Sequence, residues 1–324
     1  MTDLSIVVPV YNAADHLERL CDDILKIRDH DRKVQLIFVD DGSTDDSAGV
    51  IAELAKLSND IVPMLGAENA GAGIARNRGW EAVTGRYTLF FDADDHLMTD
   101  VIPPALARLD AEPDVDTAVF AYRYERDDTS SFTDMSYTDK AIMTQLLKGQ
   151  SQQIGRLEEF ARLLGFTNYP WNKLLRTERF RKTGMKFGST KVNNDILGHW
   201  YALLFARQIL VSEEVLCHHI VHPTGANLTN QFNSNRLQVI TALSELYDLL
   251  EKHPAMRRRY SHHFWGFARN LIAWARPRLS PELQLELDEL YSRLLSRIDL
   301  EDYVRMRVKR SPDLANHISQ KIML

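Results

Sequence analysis

Three carboxylates crowded into four positions are the feature of this chain most suggestive of chemistry. Residues 87–96 begin with strand-favouring side chains and then present Asp92, Asp94 and Asp95. A buried strand does not tolerate so much like charge, because an unpaired ionised carboxylate costs on the order of several kcal/mol to desolvate. The run therefore predicts a core strand that reaches the surface where a cation or a polyhydroxylated ligand neutralises the cluster.

The spacing of Asp92 and Asp94 places both side chains on the same side of an extended backbone. Two neighbouring carboxylates suit a hard divalent ion such as Mg²⁺ or Mn²⁺, with Asp95 as a third candidate ligand. The alternative is an acidic turn in which Asp94 or Asp95 caps the next helix. Since the D-x-D pattern is common by chance, the rest of the chain has to decide between the two.

The first hundred residues predict strands that alternate with helices. The predicted strands are residues 5–10, 34–39, 61–65 and the apolar part of 87–96. Polar clusters follow them at residues 11–12, 40–41, 69–73 and 92–95. The alternation indicates right-handed βαβ units and a parallel sheet, whose ligands bind beyond the carboxyl ends of the strands. Four clusters on one rim favour a ligand site over a helix cap.

Two common phosphate-binding signatures are missing from the sequence. No G-x-G-x-x-G follows the first predicted strand, and the chain contains no G-x-x-x-x-G-K-[ST]. A nucleotide bound at this rim is therefore expected to have its phosphates held by a metal ion rather than by a glycine-rich loop.

Four motifs resemble those of the family 2 glycosyltransferases, in the family's order and spacing. They are SIVVPVYN at residues 5–12, VDDGSTDDS at 39–47, NAGAGIARNRG at 69–79 and FFDADD at 90–95. The resemblance implies a GT-A type fold of the α/β class, with a doubly wound, mostly parallel sheet and a Rossmann-like nucleotide-binding half. It also implies a Mn²⁺ or Mg²⁺ cofactor and inverting transfer from a nucleotide sugar, with a UDP-sugar as the expected donor.

The resemblance also assigns individual residues. Those it places at the nucleotide are Pro9, Val10, Tyr11, Asn12, Asp40, Asp41, Arg76, Asn77, Asp92 and Ala93. Asp41 or Asp40 would accept from the base, and Asp92 and Asp94 would hold the ribose and the metal ion that bridges the diphosphate. Arg76 and Asn77 would lie near the nucleotide or support the D-x-D loop. For Arg76, contact with the ligand and pairing with an aspartate of the cluster both stay open.

A candidate catalytic base lies about a hundred residues further on. Family members commonly have Glu-Asp before an apolar helix, and this chain has Asn194 and Asp195 there. An attacking hydroxyl must lose a proton, for which a carboxylate within hydrogen-bond reach is the usual acceptor. Asp195 is therefore predicted to be the base, and a role as N-cap of its own helix is compatible with that.

Two further residues are assigned to the diphosphate or the acceptor. Trp171 lies in a W-N-K-L element predicted to begin a helix, where it either stacks on a sugar or anchors the helix in the core. His222 follows an apolar strand and would stabilise the leaving diphosphate. A zinc site made with His218 and His219 is disfavoured, because neighbouring side chains of a strand point to opposite faces.

The whole chain has 324 residues, a net charge of −6 and 44% hydrophobic residues, which indicates one large α/β domain with an appendage. Residues 1–230 are predicted to form the catalytic domain, with a nucleotide and metal half at 1–98 and an acceptor half at 99–230. Residues 231–324 are predicted to form a helical region. For its aromatic and arginine-rich stretch at 262–278, packing on the catalytic domain, membrane contact and homodimer contact all stay open.

Composition also bears on partners and location. The acidic balance gives no support for a nucleic-acid partner, and two cysteines make no disulfide framework. No basic-then-apolar leader opens the chain, and no apolar run reaches the roughly 18 residues that a bilayer span needs. A cytoplasmic protein is expected, with peripheral attachment to the inner face of the membrane as an option.

Taken together, the sequence predicts an inverting glycosyltransferase. It would move a sugar from a nucleoside diphosphate sugar to a hydroxyl of a saccharide or lipid-linked acceptor, in the synthesis of cell-surface polysaccharide or glycolipid. Two alternatives stay open, a sugar-phosphate nucleotidyltransferase and a non-catalytic relative that only binds sugars.

Overall fold

The computed structural model describes residues 2–27, 32–126, 129, 131–221 and 234–322. Within these ranges the strands are β1 (Leu4–Val10), β2 (Val34–Asp40), β3 (Ile61–Met64), β4 (Tyr87–Phe90), β5 (His96–Leu97), β6 (Val115–Arg126), β7 (Ser131–Asp134), β8 (Gln152–Gly155), β9 (Lys173–Arg176) and β10 (Gln208–Val221). They form one sheet in the order β3-β2-β1-β4-β9-β6-β10-β5, with β7 paired to β6 and β8 paired to β10.

The helices of the catalytic half are α1 (Ala14–Lys26), α2 (Ser47–Leu57), α3 (Ala72–Ala82), α4 (Ile102–Ala111), α5 (Tyr137–Leu147), α6 (Thr177–Thr183) and α7 (Asp195–Leu204). The C-terminal helices are α8 (Gln238–Lys252), α9 (Pro254–Ala275), α10 (Pro281–Leu295), α11 (Leu300–Arg305) and α12 (Pro312–Ile322). A π-helical turn at Met306–Arg310 continues α11. The predicted α/β class with a helical C-terminal region is confirmed.

The first half of the sheet is parallel. Strand β1 pairs in parallel with both β2 and β4, and β2 pairs in parallel with β3. All seven residues of β2 are buried, as expected for a strand covered by helices on both faces. This arrangement brings the loops after β1, β2 and β4 to one edge of the sheet.

The second half of the sheet is mixed, because β9 lies antiparallel between β4 and β6. The prediction that W-N-K-L begins a helix is therefore wrong. A short 3₁₀ turn at Pro170–Asn172 leads into β9 instead, where Leu174 and Leu175 are buried. The sequence of β9, two leucines between Lys173 and Arg176, fits a strand as well as a helix. Pairing with β4 and β6 makes it a strand.

The C-terminal helices pack directly on the catalytic half. The ring of Trp200, in α7, lies 6.2 Å from that of Phe264 and 6.0 Å from that of Phe267, both in α9. Phe264 and Trp265 are buried, so much of the aromatic stretch at 262–278 contributes to the core. The domain boundary near residue 231 stays a prediction. Among the described helices, none has the length and apolar character needed to cross a membrane.

Candidate active site

The candidate site forms where the loops after β1 and β2 are tied together. The backbone N–H of Asn12 donates to Ser43 Oγ (3.0 Å), and Asn12 Oδ1 accepts from the N–H of Thr44 (2.7 Å). Asn12 adopts a left-handed conformation with φ of 50°, which asparagine tolerates better than most residues. The predicted nucleotide ligand Asn12 is thus placed as a brace between two rim loops.

The two aspartates after β2 face inward. Asp40 accepts from the N–H groups of Gly42 (3.2 Å) and Ser43 (3.3 Å). Asp41 accepts from those of Ala70 (3.0 Å) and Gly71 (2.7 Å). Both carboxylates are buried. The two carboxylates form a framework that shapes the loops around the pocket, and the acceptance of a hydrogen bond from the base by Asp41 or Asp40 stays a prediction.

Four of the residues predicted to lie at the nucleotide differ in accessibility. Tyr11 is 49% exposed, so its ring has a free face on which a base can stack. Pro9 is half-buried beside it, whereas Val10 and Ala93 are buried. Of these four, only Tyr11 therefore offers substantial contact area to a nucleotide.

Asp92 and Asp94 keep partly exposed carboxylates just beyond the end of β4. Asp92 Oδ1 lies 2.5 Å from Arg76 Nη2, whereas Asp94 has no hydrogen bond or ion pair with any residue of the described ranges. Among those ranges, no three His, Cys, Asp or Glu side chains are grouped as a metal site. Two carboxylates nevertheless fit Mg²⁺ or Mn²⁺ bound to a nucleotide, since such ions take their other ligands from phosphates and water.

Asp95 is turned away from these two carboxylates. Its oxygen Oδ1 accepts from the backbone N–H of Ile220 (2.9 Å) and lies 2.9 Å from His219 Nδ1. The side chain is fully buried, and the residues that follow are strand β5. Both predicted roles of Asp95, metal ligand and helix cap, are therefore corrected, because the carboxylate binds β10 and no helix begins there.

The pair of Asp95 and His219 was missed from the sequence. Burial raises the pKa of Asp95 to about 6, although the adjacent imidazole acts in the opposite direction. Burial disfavours the charged form of His219, but Asp95 outweighs that effect and raises the pKa of the imidazole. The one signal in the sequence was the alternation of side chains along β10, which places His219 and His218 on opposite faces of the strand.

Trp171 lies in the core behind the site. Its ring is stacked on Tyr169 (4.3 Å between centroids, 16° between planes) and on His219 (5.6 Å, 25°). The side chain is fully buried, so the anchoring interpretation fits this structure and stacking on a sugar does not. His222, the other residue assigned to the diphosphate or acceptor, lies outside the described residues.

Arg76 connects the metal side of the site to the catalytic side. The side chain is buried; its Nη2 binds Asp92, and its Nη1 donates to Asn194 Oδ1 (2.8 Å). Of the two interpretations left open, the structure shows structural pairing. The side chain of Asn77 is also hydrogen-bonded within the protein. Its Oδ1 accepts from the N–H of Phe187 (2.8 Å), and its Nδ2 donates to the C=O of Phe187 (3.1 Å). Asn77 supports the loop before α7, and its position near a nucleotide stays a prediction.

Asp195 is the first residue of α7, and Asn194 occupies the N-cap position. Asp195 keeps some exposed surface at the site. Burial raises the pKa of its carboxyl group, while the charge of Arg76 and a hydrogen bond with Asn168 act against the rise. A carboxylate with a raised pKa is a better proton acceptor, as a general base requires.

Lys173 is a second buried ionisable group that the sequence did not reveal as special. Its Nζ donates to the backbone oxygen of Tyr169 (2.7 Å) and to Asn172 Oδ1 (2.6 Å). Burial lowers the pKa of Lys173 to about 7, and the negative charges of Asp195 and Asp139 limit the fall. The only hint in the sequence is a lysine directly before two leucines that turn out to be buried.

Sequence comparison places these residues in a known group of proteins. The model of the glycosyl transferase family 2 matches residues 5–194. The chain is 28% identical over 261 residues to the uncharacterized glycosyltransferase YibD of Escherichia coli K12, which covers 80% of this chain and 72% of YibD. It is 29% identical over 224 residues to the putative glycosyltransferase EpsH of Bacillus subtilis, which covers 68% of this chain but only 61% of EpsH.

Structural comparison supports the same conclusion for the fold. The chain is similar to residues 1–349 of S. aureus TarS in complex with UDP-GlcNAc, with a TM-score of 0.68 and 19% identity. The likeness extends over 99% of this chain and 88% of the TarS chain. At that identity the likeness concerns the fold alone, and it confirms the predicted GT-A type.

Proposed function

We infer that the chain, which belongs to glycosyl transferase family 2 and is a glycosyltransferase, uses a nucleoside diphosphate sugar as its donor. The sugar is transferred to an acceptor hydroxyl with inversion of the anomeric centre. One observation carries the proposal. Arg76 binds Asp92 on one side and Asn194, the neighbour of Asp195, on the other. Asp92, the candidate metal ligand for the leaving diphosphate, and Asp195, the candidate base, are thereby held at one site.

The proposed donor is a UDP-sugar. The half-exposed ring of Tyr11 offers a stacking face for a base at the carboxyl end of β1. TarS, which shares the fold, has been crystallised with UDP-GlcNAc, and this likeness supports uridine as the base. The framework of Asn12, Asp40 and Asp41 would keep the surrounding loops in place while the nucleotide enters.

The proposed metal ligands are Asp92 and Asp94. A bound Mn²⁺ or Mg²⁺ would neutralise the negative charge of the departing diphosphate. Asp92 is already oriented by Arg76, and Asp94 is free of other protein partners within the described residues. The protein thus offers one fixed and one adjustable carboxylate, and the remaining positions of an ion are open to phosphate oxygens and water.

The proposed base is Asp195. Its carboxylate takes the proton of the acceptor hydroxyl as that oxygen bonds to the anomeric carbon of the sugar. The bond from the same carbon to the diphosphate oxygen breaks on the opposite side, so that one displacement inverts the anomeric centre. The proposed acceptor is a saccharide or lipid-linked hydroxyl in cell-surface polysaccharide or glycolipid synthesis, following the resemblance to the family.

The experiment that tests this assignment separates transfer from binding. We expect Asp195→Asn to lower the turnover of a UDP-sugar by at least about a hundredfold, in the range of general base catalysis, with the Kd for UDP unchanged. Asp94→Asn should instead weaken Mn²⁺-dependent UDP binding, measured by calorimetry. Asp100→Asn, at an exposed carboxylate five positions after Asp95, is the matched control and should change neither quantity.

Three results would contradict the proposal. Full turnover in Asp195→Asn would show that Asp195 is not the base. Unchanged Mn²⁺ dependence of UDP binding in Asp94→Asn would show that Asp94 is not a metal ligand. Release of pyrophosphate from UTP and a sugar phosphate would indicate a nucleotidyltransferase instead. A non-catalytic relative is excluded once the wild-type chain releases UDP from a UDP-sugar.

A further inference from the structure

An apolar ridge on α11 and its π-helical continuation faces solvent. Leu300, Val304 and Val308 recur every four residues and are 75%, 49% and 69% exposed. Asp302 and Met306, on the other side of the same turns, are buried against the fold. The ridge is thus a complete apolar row along a short amphipathic helix, and no described residue covers it. Exposed apolar rows of this kind mark contact with a membrane or a protein.

The ridge lies among basic side chains. Arg307, Lys309 and Arg310 are exposed, and neither Lys309 nor Arg310 has an ion pair with any part of the chain that the structure describes. The exposed acidic side chain beside the ridge, Glu301, is 3.8 Å from Arg258. Residues 254–324 contain thirteen Lys or Arg and eight Asp or Glu, although the whole chain has a net charge of −6. Positive charge is therefore concentrated in the region that contains the ridge.

We propose that this ridge docks on the surface of a membrane that contains anionic phospholipids. Helices with an apolar row between lysines and arginines lie in the interface of a bilayer, with the apolar side chains among the acyl chains. Anionic headgroups would supply the ion-pair partners that Lys309 and Arg310 lack within the described residues. A second copy fits less well, because a two-fold contact along the ridge would bring the same positive charges together from both chains.

The charge and the apolar row make separable contributions, which sets the design of the test. The full chain is mixed with vesicles of phosphatidylcholine, with or without phosphatidylglycerol, and bound protein is measured by flotation. We expect binding only to vesicles that contain phosphatidylglycerol, and weaker binding as salt is raised. The double variant Val304→Asp with Val308→Asp should lose at least about tenfold in affinity, and so should Lys309→Glu with Arg310→Glu.

Leu285→Asp is the matched control, because Leu285 is 66% exposed on α10 and does not belong to the ridge. It should bind vesicles as the wild type does, and circular dichroism should show every variant folded. Failure of the wild type to bind either kind of vesicle would overturn the proposal, as would an equal loss in Leu285→Asp. Self-association that the Val304 and Val308 substitutions abolish would assign the ridge to a second copy instead. The readout is independent of sugar transfer.

Discussion

At the scale of single residues, Arg76 is the contact on which the candidate site depends. Its two terminal nitrogens bind different partners, Asp92 after β4 and Asn194 before α7. The family commonly has a glutamate where this chain has Asn194, so Arg76 hydrogen-bonds one carboxylate, that of Asp92, and an uncharged amide oxygen in place of a second carboxylate. A planar guanidinium can hold two acceptors in fixed directions, which a lysine cannot do.

The first prediction concerns that geometry. Arg76→Lys keeps the charge but loses one of the two bonds, so we expect a folded enzyme whose turnover falls by about tenfold to a hundredfold, because small misplacements are costly in catalysis. Arg76→Met also leaves Asp92 without its partner and should lower the free energy of unfolding in urea by about 2 kcal/mol. Arg293→Met, at an exposed pair with Glu289, should cost under about 1 kcal/mol. Equal losses in the two methionine variants would argue against the bridge.

The second prediction concerns pH and Lys173. Above pH 7 the native side chain, with its pKa of about 7, loses its proton, whereas the unfolded chain keeps one up to the ordinary value of 10.5. Because the unfolded state then binds more protons, the free energy of unfolding should rise with pH between about 7 and 10 and level off below 7. Burying the charged ammonium group lowers the free energy of unfolding by on the order of a few kcal/mol, and this penalty applies in full below pH 7.

Urea unfolding at a series of pH values checks this effect. Lys173→Met removes the titrating group, so its stability relative to the wild type should be greatest below pH 7 and shrink towards pH 10. Lys186→Met, which changes an exposed lysine, should follow the wild-type curve throughout. Parallel curves for wild type and Lys173→Met would show that Lys173 titrates normally.

The residues that the sequence could identify are those whose chemistry is local. Asp92 and Asp94 stand out because two carboxylates end an apolar run, and Asp195 stands out because it precedes an apolar helix. The partner of Asp95 could not be identified in that way. His219 is 124 positions away, and only the pairing of β10 with β5 brings the two side chains together. The site role of Asp195 stays a prediction until transfer is measured.

At the scale of elements, the start of α3 is pressed against the loop before α7. A Cβ atom on Gly73 would lie 2.2 Å from the backbone oxygen of Gly188 and 2.8 Å from Asn194 Cβ. Backbone cannot move aside as a flexible side chain can. Any substitution there must push the loop that ends at Asp195.

Gly73→Ala is therefore predicted to destabilise the fold by about 2 kcal/mol and to lower turnover more than UDP affinity, since overpacking shifts the backbone next to the base. Gly165→Ala is the matched control, because a Cβ atom there has no neighbour within 4 Å. It should change the free energy of unfolding by less than about 0.5 kcal/mol. Urea unfolding and steady-state kinetics measure both. A Gly73→Ala variant as active and stable as Gly165→Ala would mean that the loop moves aside without cost.

The elements themselves were predictable to different degrees for a physical reason. Strands β1 and β2 are nearly continuous apolar runs, interrupted only by Ser5 and Gln35 and followed by polar turns, a pattern that is typical of buried parallel strands. Strand β9 is four residues long, and its place between β4 and β6 depends on contacts far away in the sequence. Local patterns therefore predict the parallel half of the sheet, whereas long-range pairing decides the mixed half.

At the scale of the whole molecule, the C-terminal helices take part in building the site. Glu245 of α8 accepts from the backbone N–H of Ser189 (3.2 Å), and Gln238 Oε1 accepts from that of Lys191 (2.8 Å). Both contacts hold the loop that leads to Asp195. The sequence predicted a helical region after residue 230, but periodicity alone does not indicate which surface such helices cover.

The last prediction is that the described helices and the sheet unfold together. Trp200 of α7 and Phe264 of α9 are both buried and share one aromatic cluster, so neither region keeps its core without the other. Calorimetry should give one transition whose calorimetric and van't Hoff enthalpies agree. Phe264→Ala should lower the free energy of unfolding by about 3–5 kcal/mol and lower the midpoint temperature of that single transition. UDP with Mn²⁺ should raise the midpoint of the same transition, in the wild type and in the variant. Two separate transitions, with only the one insensitive to UDP lowered by Phe264→Ala, would instead make residues 231–324 an independent domain.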